Sequence, residues 1–275
     1  MLWREARSPL DELVFLKLGG SLITDKSKRD TPRLDIIQRI GQEIARARAV
    51  RPGLRLVLGH GSGSFGHFAA QEYGVHRGGL EDWRGYAETA AAAARLNRMV
   101  ADCMLRNGVP VVSMPPSASV SCKRGELVEM TVFPVETLLE RGLVPLVYGD
   151  VALDVEQGCA IVSTEQVFVY LSERVHPRRM IIAGEVDGVF TADPLTDPDA
   201  RRLPEITSTS FVSVRGMLSG SHGVDVTGGM LGKVDVLLDA IKRQHEMRIR
   251  LISGRREGAV EAALKGEAEG TLLRY

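Results

Sequence analysis

Short apolar runs alternate with longer amphipathic segments along most of the chain. Six runs have the length and the leucine, isoleucine and valine content of buried strands: Leu13–Leu18, Leu54–Leu58, Val109–Ser113, Leu143–Val147, Arg179–Ala183 and Arg248–Ile252. Five segments have helical periodicity: Leu34–Val50, Trp83–Arg106, Pro134–Arg141, Thr164–Arg174 and Gly229–Gln244. This alternation predicts an α/β fold, a three-layer α/β/α sandwich with a mostly parallel central sheet.

Two further segments alternate apolar and polar residues around a glycine-containing turn. Ser119–Met130 does so around CKRGE and Asp150–Val162 around EQG, which predicts β-hairpins added to the sheet. The length of 275 residues suits one large α/β domain. We expect a single domain over residues 1–275, in which an N-terminal lobe of residues 1–175 and a C-terminal lobe of residues 176–275 share one sheet.

Charge and cysteine usage narrow the classes of partner. The 35 basic and 35 acidic residues balance, so the totals point neither to a nucleic acid nor to an anionic membrane surface. The three cysteines, Cys103, Cys122 and Cys159, have no disulfide or zinc-site spacing. Charges near the N-terminus do not fit a signal peptide, and no run approaches the roughly 20 apolar residues of a membrane span. We expect a soluble cytoplasmic protein with reduced thiols and no nucleic-acid or membrane partner.

The first strand contains one charged residue, Lys17, and runs directly into Gly19-Gly20-Ser21. Adjacent glycines let the backbone turn its N–H groups towards a phosphate, and a lysine ammonium adds a point charge. Lys26 follows closely enough to reach the same place from a loop. The pattern therefore predicts an anion site, with an ordinary turn and an edge lysine as the alternative.

A second glycine-rich loop, Gly59–His67, follows the strand Leu54–Leu58, and a helix is predicted from about Ser64. Such a loop aims amides and a helix N-terminus at one anion. Its GxGxxG pattern does not predict a dinucleotide site, because no second strand ending in a ribose-binding acid follows the helix. Nor is there a Walker A lysine, since His67 stands where GK[ST] is needed. His60 and His67 flank the turn, which favours a polar cleft over a core.

Two features of the C-terminal half also predict ligand binding. Val186–Pro194 forms a turn and a polar loop after the strand Arg179–Ala183, where open α/β sheets place ligands. Gly228 and Gly229 precede a helix that carries Lys233 near its start. A lysine at that position opposes the helix dipole unless a phosphate is bound, and the alternative is a solvated surface lysine.

Taken in chain order, four motifs resemble those of the amino acid kinase superfamily: KLGGS (Lys17–Ser21), the Gly59–His67 loop, VDGVFTADP (Val186–Pro194) and GGMLGK (Gly228–Lys233). Within it, KLGGSLITDK together with HGSGSFGHFAAQEYGVHRGG (His60–Gly79) is similar to the isopentenyl phosphate kinase family. The resemblance implies ATP and Mg²⁺ as cofactors, isopentenyl phosphate as the acceptor and a homodimer. Fosfomycin kinases, which share the histidine at His67, are the nearest alternative. Two further alternatives remain. One is a kinase for a carboxylate or a nucleoside monophosphate, and the other is a catalytically silent ATP-binding or oxyanion-binding protein.

The resemblance also implies roles for individual residues. The catalytic set is Lys17, Lys26, His67 and Glu165. The ATP-binding set is Lys17, Gly19, Gly20, Ser21, Gly63, Asp187, Gly228 and Lys233. The acceptor-binding set is Ser62, His67, Gly149 and Asp150. Mg²⁺ is expected to be ligated by phosphates and water, without a metal-binding side chain.

Two features leave alternatives open. The family often has Ser-Gly-Asp before the mid-chain helix, whereas this chain has Ser163-Thr164-Glu165. Either Glu165 orients the active-site lysines through a longer arm, or Ser163 and Gln166 form a capping box and Glu165 only complements the helix dipole. Likewise, the alanine-rich stretch Ala87–Ala94 either leaves room for a prenyl tail or serves helix packing.

Overall fold

A mostly parallel sheet organises the computed structural model, which describes residues 12–75, 80, 82–192, 194, 196–218, 229–267 and 269–275. Within these residues the strands are β1 (Glu12–Leu18), β2 (Leu54–His60), β3 (Val111–Met114), β4 (Val120–Lys123), β5 (Glu126–Met130), β6 (Val144–Tyr148), β7 (Asp150–Asp154), β8 (Gly158–Val162), β9 (Arg179–Gly184), β10 (Val189–Phe190), β11 (Arg202–Leu203), β12 (Glu205–Thr207), β13 (Arg248–Ser253) and β14 (Thr271–Arg274). The helices are α1 (Gly20–Ile23), α2 (Leu34–Val50), α3 (Gly63–Glu72), α4 (Arg84–Arg106), α5 (Pro116–Ser119), α6 (Phe133–Glu140), α7 (Thr164–Val175), α8 (Phe211–Leu218), α9 (Gly229–Arg243) and α10 (Ala259–Lys265).

The main sheet of the described chain has eight strands in the order β12-β14-β13-β9-β1-β2-β6-β3. Every neighbouring pair is parallel except β13 and β14. In the central strand β1, Leu13 and Phe15 pack into one hydrophobic core, and Val14 and Leu16 pack into the core on the opposite face. A strand buried on both faces is expected to be continuously apolar, as this one is. The predicted α/β fold with a mostly parallel sheet is confirmed.

All six predicted strands and five predicted helices are present, with ends that differ by at most two residues from the expected ones. The elements that the periodicity did not reveal are short, among them α1, α8 and α10 and the strands β12 and β14. No helix in the described part of the chain is long and apolar enough to cross a membrane.

The two predicted hairpins form, but they do not extend the main sheet. β4 pairs with β5 and β7 with β8, and β4 also pairs with β7 to give a separate four-stranded sheet. Gly149 lies between β6 and β7, and its N–H donates to the carbonyl of His60 over 2.9 Å as the chain leaves the main sheet. The expected addition of the hairpins to the main sheet is therefore wrong, because alternation predicts a hairpin and not the edge that it joins.

The carboxyl ends of β1, β2, β6, β9 and β13 meet at one edge of the main sheet. The register places Lys17 between Gly59 of β2 and Ile182 of β9. Loops that follow parallel strands share this edge, which is where α/β sheets bind ligands. Strands from both expected lobes contribute to the sheet, and the division into lobes stays a prediction.

Candidate active site

The loops at this edge border a cleft of about 920 Å³. Most of the residues singled out from the sequence line it: Lys17, Gly19, Gly20, Ser21, Lys26, Ser62, Gly63, His67, Gly149, Asp150, Glu165 and Lys233. The fold thus brings together residues from both halves of the chain. Gly228 lies outside the described residues.

The two glycine-rich loops lie in direct backbone contact. A Cβ atom on Gly20 would lie 2.8 Å from the backbone nitrogen of Gly63, and one on Gly61 would lie 2.8 Å from the nitrogen of Gly20. Gly63 also has a φ of +53°, and a Cβ there would collide with the hydroxyl of Thr24. Any larger residue would separate the loops, so these glycines hold both sets of amides at one end of the cleft.

Lys17 and Glu165 form a buried ion pair beneath the two loops. Burial lowers the pKa of Lys17 against the opposing effect of Glu165, and the charges of Lys233 and Lys26 lower it further. Burial raises the pKa of Glu165, but Lys17 and Lys233 outweigh this effect and the pKa is lowered. The neighbouring ammonium groups thus favour the ionised form of Glu165, and Lys17 lies near enough to Lys233 and Lys26 to be repelled by both.

The N-terminus of α7 has the predicted capping box, and Glu165 in addition contacts an active-site lysine. The hydroxyl of Ser163 accepts a hydrogen bond from the N–H of Gln166 over 3.2 Å, and the side chain of Gln166 accepts one from the N–H of Ser163 over 2.8 Å. This capping box fixes the first turn of the helix. Glu165, in the same turn, reaches Lys17. The capping box is therefore confirmed, but the interpretation that Glu165 only complements the helix dipole is wrong, because its carboxylate pairs with Lys17.

Lys26 is exposed on the loop between α1 and α2. Two ion pairs tie this loop to neighbouring helices: Arg29 lies 2.7 Å from Glu72 on α3, and Asp30 lies 3.3 Å from Arg95 on α4. Exposed pairs of this kind contribute little stability, about 0–1 kcal/mol each. They nevertheless direct the loop towards the end of the cleft that α3 and α4 form.

The part of the cleft that α3 borders combines polar and apolar groups. His67 lies on the exposed face of α3 and borders the cleft. Asp150 is buried, and its carboxylate accepts hydrogen bonds from the N–H groups of Ser117 and Val151 over 3.1 and 2.9 Å. Burial raises the pKa of Asp150 to about 6, although these hydrogen bonds oppose the shift. An anionic carboxyl at this end is therefore costly to maintain.

Apolar side chains that the sequence did not single out line the cleft beside His67, among them Ala70 and Val75. The alanine-rich part of α4 serves helix packing, and room for a prenyl tail stays a prediction. Ala92, Ala93 and Leu96 are all buried, and Ala93 also borders the cleft. A helix that presents alanine to a cleft leaves space there, because alanine is the smallest side chain that carries a Cβ.

Two residues expected at the cleft are used elsewhere. The carboxylate of Asp187 accepts hydrogen bonds from Arg202 over 2.5 Å and from the N–H of Ser253 over 3.2 Å, and it does not line the cleft. His60 is fully buried, and burial lowers its pKa to about 4. The expectation that both histidines mark a polar cleft is therefore wrong for His60, because its ring points into the interior.

An ionic link at the C-terminal side of the cleft was not predicted. Glu185, directly after β9, lines the cleft and accepts hydrogen bonds from Arg33 over 2.9 Å and Arg255 over 2.6 Å. Arg33 also donates to the carbonyl of Ser21 over 2.7 Å, so the first glycine-rich loop is joined to the end of β9. A charged residue that immediately follows a buried strand was the available signal.

Comparison with known proteins gives consistent matches over nearly the whole chain. The model of the amino acid kinase family matches residues 12–252. The isopentenyl phosphate kinase of Methanothermobacter thermautotrophicus is 38% identical over 265 residues, which cover 93% of this chain and 96% of that protein. The isopentenyl phosphate kinase of Methanocaldococcus jannaschii is 30% identical over 271 residues, with coverages of 96% and 99%. A crystal structure of an isopentenyl phosphate kinase superposes with a TM-score of 0.80 at 34% identity, covering 95% of this chain and all of that one.

Proposed function

The chain belongs to the amino acid kinase family and, within it, to the isopentenyl phosphate kinases, and from this premise we propose that it transfers the γ-phosphoryl group of ATP to isopentenyl phosphate. The products are isopentenyl diphosphate and ADP. The observation that carries the proposal is a single cleft lined by three lysines, Lys17, Lys26 and Lys233, by the carboxylate of Glu165 that pairs with Lys17, and by His67 with apolar side chains.

The lysine group matches the requirements of phosphoryl transfer. The transferred group passes through a loose transition state with charge on its equatorial oxygens, and catalysis consists largely of positioning and charge stabilisation. Lys17, held by Glu165, and Lys26, from the opposite loop, supply charge to the γ-phosphoryl group. Lys233 binds the phosphates of ATP. The negative charge of ATP relieves the repulsion among the lysines, so nucleotide binding and the lysine group support each other.

The acceptor phosphate supplies its own nucleophile. One of its anionic oxygens attacks the γ-phosphorus, the bond from that phosphorus to the β,γ-bridging oxygen breaks, and ADP leaves with the electron pair of that bond. No proton has to be removed from the nucleophile, which explains why the cleft needs no general base. His67 donates a hydrogen bond to the acceptor phosphate, together with amides of Ser62 and Gly63. Gly149 and Asp150 close this side of the pocket.

The prenyl tail fits the apolar end of the cleft. Ala70, Val75 and Ala93 line the cleft together with His67, and Ile161 of β8 also lines it. Burying an apolar tail against such side chains contributes about 25 cal/mol per Å² of apolar surface. The small side chains at positions 70 and 93 therefore set the space that the acceptor can occupy.

Mg²⁺ would enter with ATP and would supply charge that shields the phosphates from the attacking anion. The acidic side chains that line the cleft already have partners: Glu165 pairs with Lys17, Asp150 accepts from backbone amides, and Glu185 pairs with arginines. Within the described residues there is no cluster of three or more histidine, cysteine or acidic side chains that would suit a metal. The donor set fits a metal whose protein ligands are few and whose remaining ligands are phosphate oxygens and water.

The remaining predicted nucleotide contacts are of two kinds. We retain Gly19, Gly20 and Ser21 as amide donors to ATP, and Gly228 stays a prediction. Asp187 is not retained as a nucleotide ligand, because its carboxylate is bound to Arg202 and a backbone amide. By resemblance to the family we also propose a homodimer, which analytical ultracentrifugation tests as a particle of twice the chain mass.

An acceptor screen tests the proposal. The protein is supplied with Mg·ATP and, separately, with isopentenyl phosphate, dimethylallyl phosphate or fosfomycin, and ADP release is followed with a coupled assay. We expect fast turnover with isopentenyl phosphate. Turnover of fosfomycin alone would instead identify a phosphonate kinase. ATP binding in calorimetry without turnover of any acceptor, including carboxylates and nucleoside monophosphates, would indicate a silent ATP-binding protein.

Matched lysine variants separate the site from general effects of charge. Lys17→Met removes the charge that is paired with Glu165, and we expect turnover to fall by at least about 10²-fold, the typical loss of a group that stabilises transition-state charge. Lys242 is exposed on α9 and pairs with Asp239 on the same helix over 2.8 Å. Lys242→Met should leave turnover within about twofold, which shows that the loss in Lys17→Met belongs to the cleft.

A further inference from the structure

We propose that His60 is a positioning residue for the acceptor half of the cleft, and that it acts through the carbonyl of Gly61 and the side chain of Asn97. The inference rests on the proposed function for the identity of the acceptor. The positioning role itself is argued from the hydrogen bonds of the His60 ring, which is buried and contacts neither substrate site directly.

The ring of His60 is hydrogen-bonded at both nitrogens. Nδ1 lies 3.0 Å from the carbonyl oxygen of Gly61, and Nε2 lies 3.1 Å from Nδ2 of Asn97 on α4. Oδ1 of Asn97 in turn accepts a hydrogen bond from the hydroxyl of Ser113 on β3 over 2.6 Å. The ring also stacks on Tyr148 at the end of β6, with centroids 5.5 Å apart and planes within 8°. The side chain of His60 is thus fixed by four elements of the fold.

The carbonyl of Gly61 determines the tautomer of this ring. A carbonyl oxygen only accepts, so Nδ1 must carry the proton. In a neutral ring Nε2 then has no proton and must accept, which requires the amide group of Asn97 to donate and its oxygen to face the hydroxyl of Ser113. The ring is neutral because burial lowers its pKa to about 4, an effect that the Gly61 hydrogen bond opposes and the charge of Lys17 supports. The side chain of His60 therefore adds no charge to the site, and its role is to orient the groups to which it is hydrogen-bonded.

The backbone of His60 joins the other walls of the acceptor end. Its carbonyl oxygen accepts hydrogen bonds from the hydroxyl of Thr164 over 2.7 Å and from the N–H of Gly149 over 2.9 Å. Thr164 precedes Glu165 at the start of α7, and Gly149 lines the cleft. A single residue therefore connects the second glycine-rich loop, the turn after β6 and the helix that carries the partner of Lys17.

Asn97 extends this network to the wall of the tail pocket. Thr89, Ala93 and Asn97 are spaced four residues apart on α4 and therefore share one face of the helix. The first two line the cleft, and the third holds the ring of His60. The same helical face consequently sets both the tail pocket and the position of the loop that binds the acceptor phosphate. Small displacements of such a loop cost up to about 10²-fold in rate, because transfer depends on alignment.

The tautomer is tested on the unaltered protein by nitrogen-15 NMR of labelled histidines. We expect His60 to be neutral from pH 5.5 to 8, with its proton on Nδ1. A proton on Nε2, or titration of His60 with a midpoint between pH 6 and 7, would overturn the proposal whatever the acceptor is.

Kinetics of two substitutions test the positioning role. The amide of asparagine lies near the place of Nδ1, whereas that of glutamine lies near the place of Nε2, so only His60→Asn keeps a donor for the carbonyl of Gly61. We expect kcat/KM for isopentenyl phosphate to fall by about 10- to 100-fold in His60→Gln and by no more than about fivefold in His60→Asn. The KM for ATP should stay within about twofold in both. His245→Gln, at an exposed histidine after α9, is the matched control and should equal the wild type.

The outcomes separate the two proposals. If the wild type does not phosphorylate isopentenyl phosphate, the proposed function fails, and the NMR result alone decides the inference on His60. If the wild type is active and His60→Gln keeps wild-type kinetics, or loses affinity for ATP and acceptor equally, the positioning role is refuted. A protein that fails to fold is recognised by circular dichroism, and Asn97→Leu then replaces His60→Gln, with the same expected selective loss for the acceptor.

Discussion

Replacing Glu165 by glutamine leaves the ammonium of Lys17 buried without a counter-charge. The pair lies almost completely out of solvent, with 8% of the Lys17 side chain and 9% of the Glu165 side chain exposed. Breaking a buried pair by removing one partner typically costs about 3–5 kcal/mol, because the remaining charge is uncompensated. Lys233 and Lys26 add repulsion at this position. We therefore expect Glu165→Gln to lower the free energy of unfolding by about 3–5 kcal/mol at pH 7.5.

Urea denaturation followed by circular dichroism measures this loss. With a slope of about 3 kcal/mol per molar, the transition midpoint should move down by about 1 M or more. Saturating ATP should reduce the difference between variant and wild type, since the phosphates supply the missing negative charge. Glu246→Gln, at an exposed glutamate after α9, is the control and should change stability by less than about 0.5 kcal/mol.

The double variant Lys17→Met/Glu165→Met distinguishes two effects on stability: the loss of the ion pair, and the burial of one charge without its partner. Apolar replacement of both partners of a buried pair is often neutral or stabilising, so this variant should be more stable than Glu165→Gln although it is inactive. The pH dependence has a defined sign. Because the folded pKa of Glu165 is lowered, its contribution is complete above the ordinary carboxyl pKa of about 4.3 and is lost as the pH falls through the folded value. If Glu165→Gln lowers the free energy of unfolding by less than about 1 kcal/mol, or if the double variant is no more stable than the single one, Glu165 does not compensate a buried charge on Lys17.

Three further predictions concern other parts of the cleft. Gly63→Ala adds a Cβ that collides with Thr24 at a φ of +53°, so steady-state kinetics should show kcat/KM reduced at least about tenfold for both substrates; unchanged kinetics would contradict the contact between the loops. Asp150 has a folded pKa raised to about 6, so the folded state binds its proton more tightly than the unfolded chain and loses stability as the pH rises from 4 to 6. At about 1.4 kcal/mol per pKa unit, urea titrations should show that the stability of Asp150→Asn relative to the wild type rises by about 2 kcal/mol between pH 4 and pH 7. Parallel pH curves of the two proteins would count against the shift. Ala93→Leu reduces the space at the apolar end, and its KM for isopentenyl phosphate should rise about tenfold with the KM for ATP unchanged; an equal rise in both would place the tail elsewhere.

The parts of the fold that the sequence predicts best are those buried on both faces. β1 has apolar residues on both sides, so its one charge, Lys17, stands out in an otherwise continuous run. Strands such as β14 lack this signal, since they are short and only partly buried. The hairpins were visible as alternation, but the turn at Gly149 that takes them out of the main sheet depends on a hydrogen bond to the distant His60.

The parts of the candidate site that could be predicted are those whose sequence motif restricts the backbone. The glycine-rich loops and the three lysines belong to this group, because glycine pairs and strand ends limit the positions that the backbone can take. The contact of Glu165 with Lys17 was one of two stated possibilities, because the resemblance to the family suggested it. The partners of His60 and Asp187 were not predictable. His60 meets Asn97 and Asp187 meets Arg202 across the fold, and each contact depends on packing between elements distant in sequence. A histidine beside a glycine-rich turn can either bind a ligand or serve as a buried structural residue. Only its contacts in the folded protein distinguish the two roles.

Phosphorus-31 NMR of the reaction mixture tests the central claim most directly. The protein is incubated with Mg·ATP and isopentenyl phosphate, with Lys17→Met and Lys242→Met as matched samples. In the wild type and in Lys242→Met, we expect the monophosphate resonance to disappear and the coupled resonances of a diphosphate to appear in an amount equal to the ADP formed. In Lys17→Met we expect neither change. ADP formed without a diphosphate product, or equal turnover in Lys17→Met, would contradict the claim.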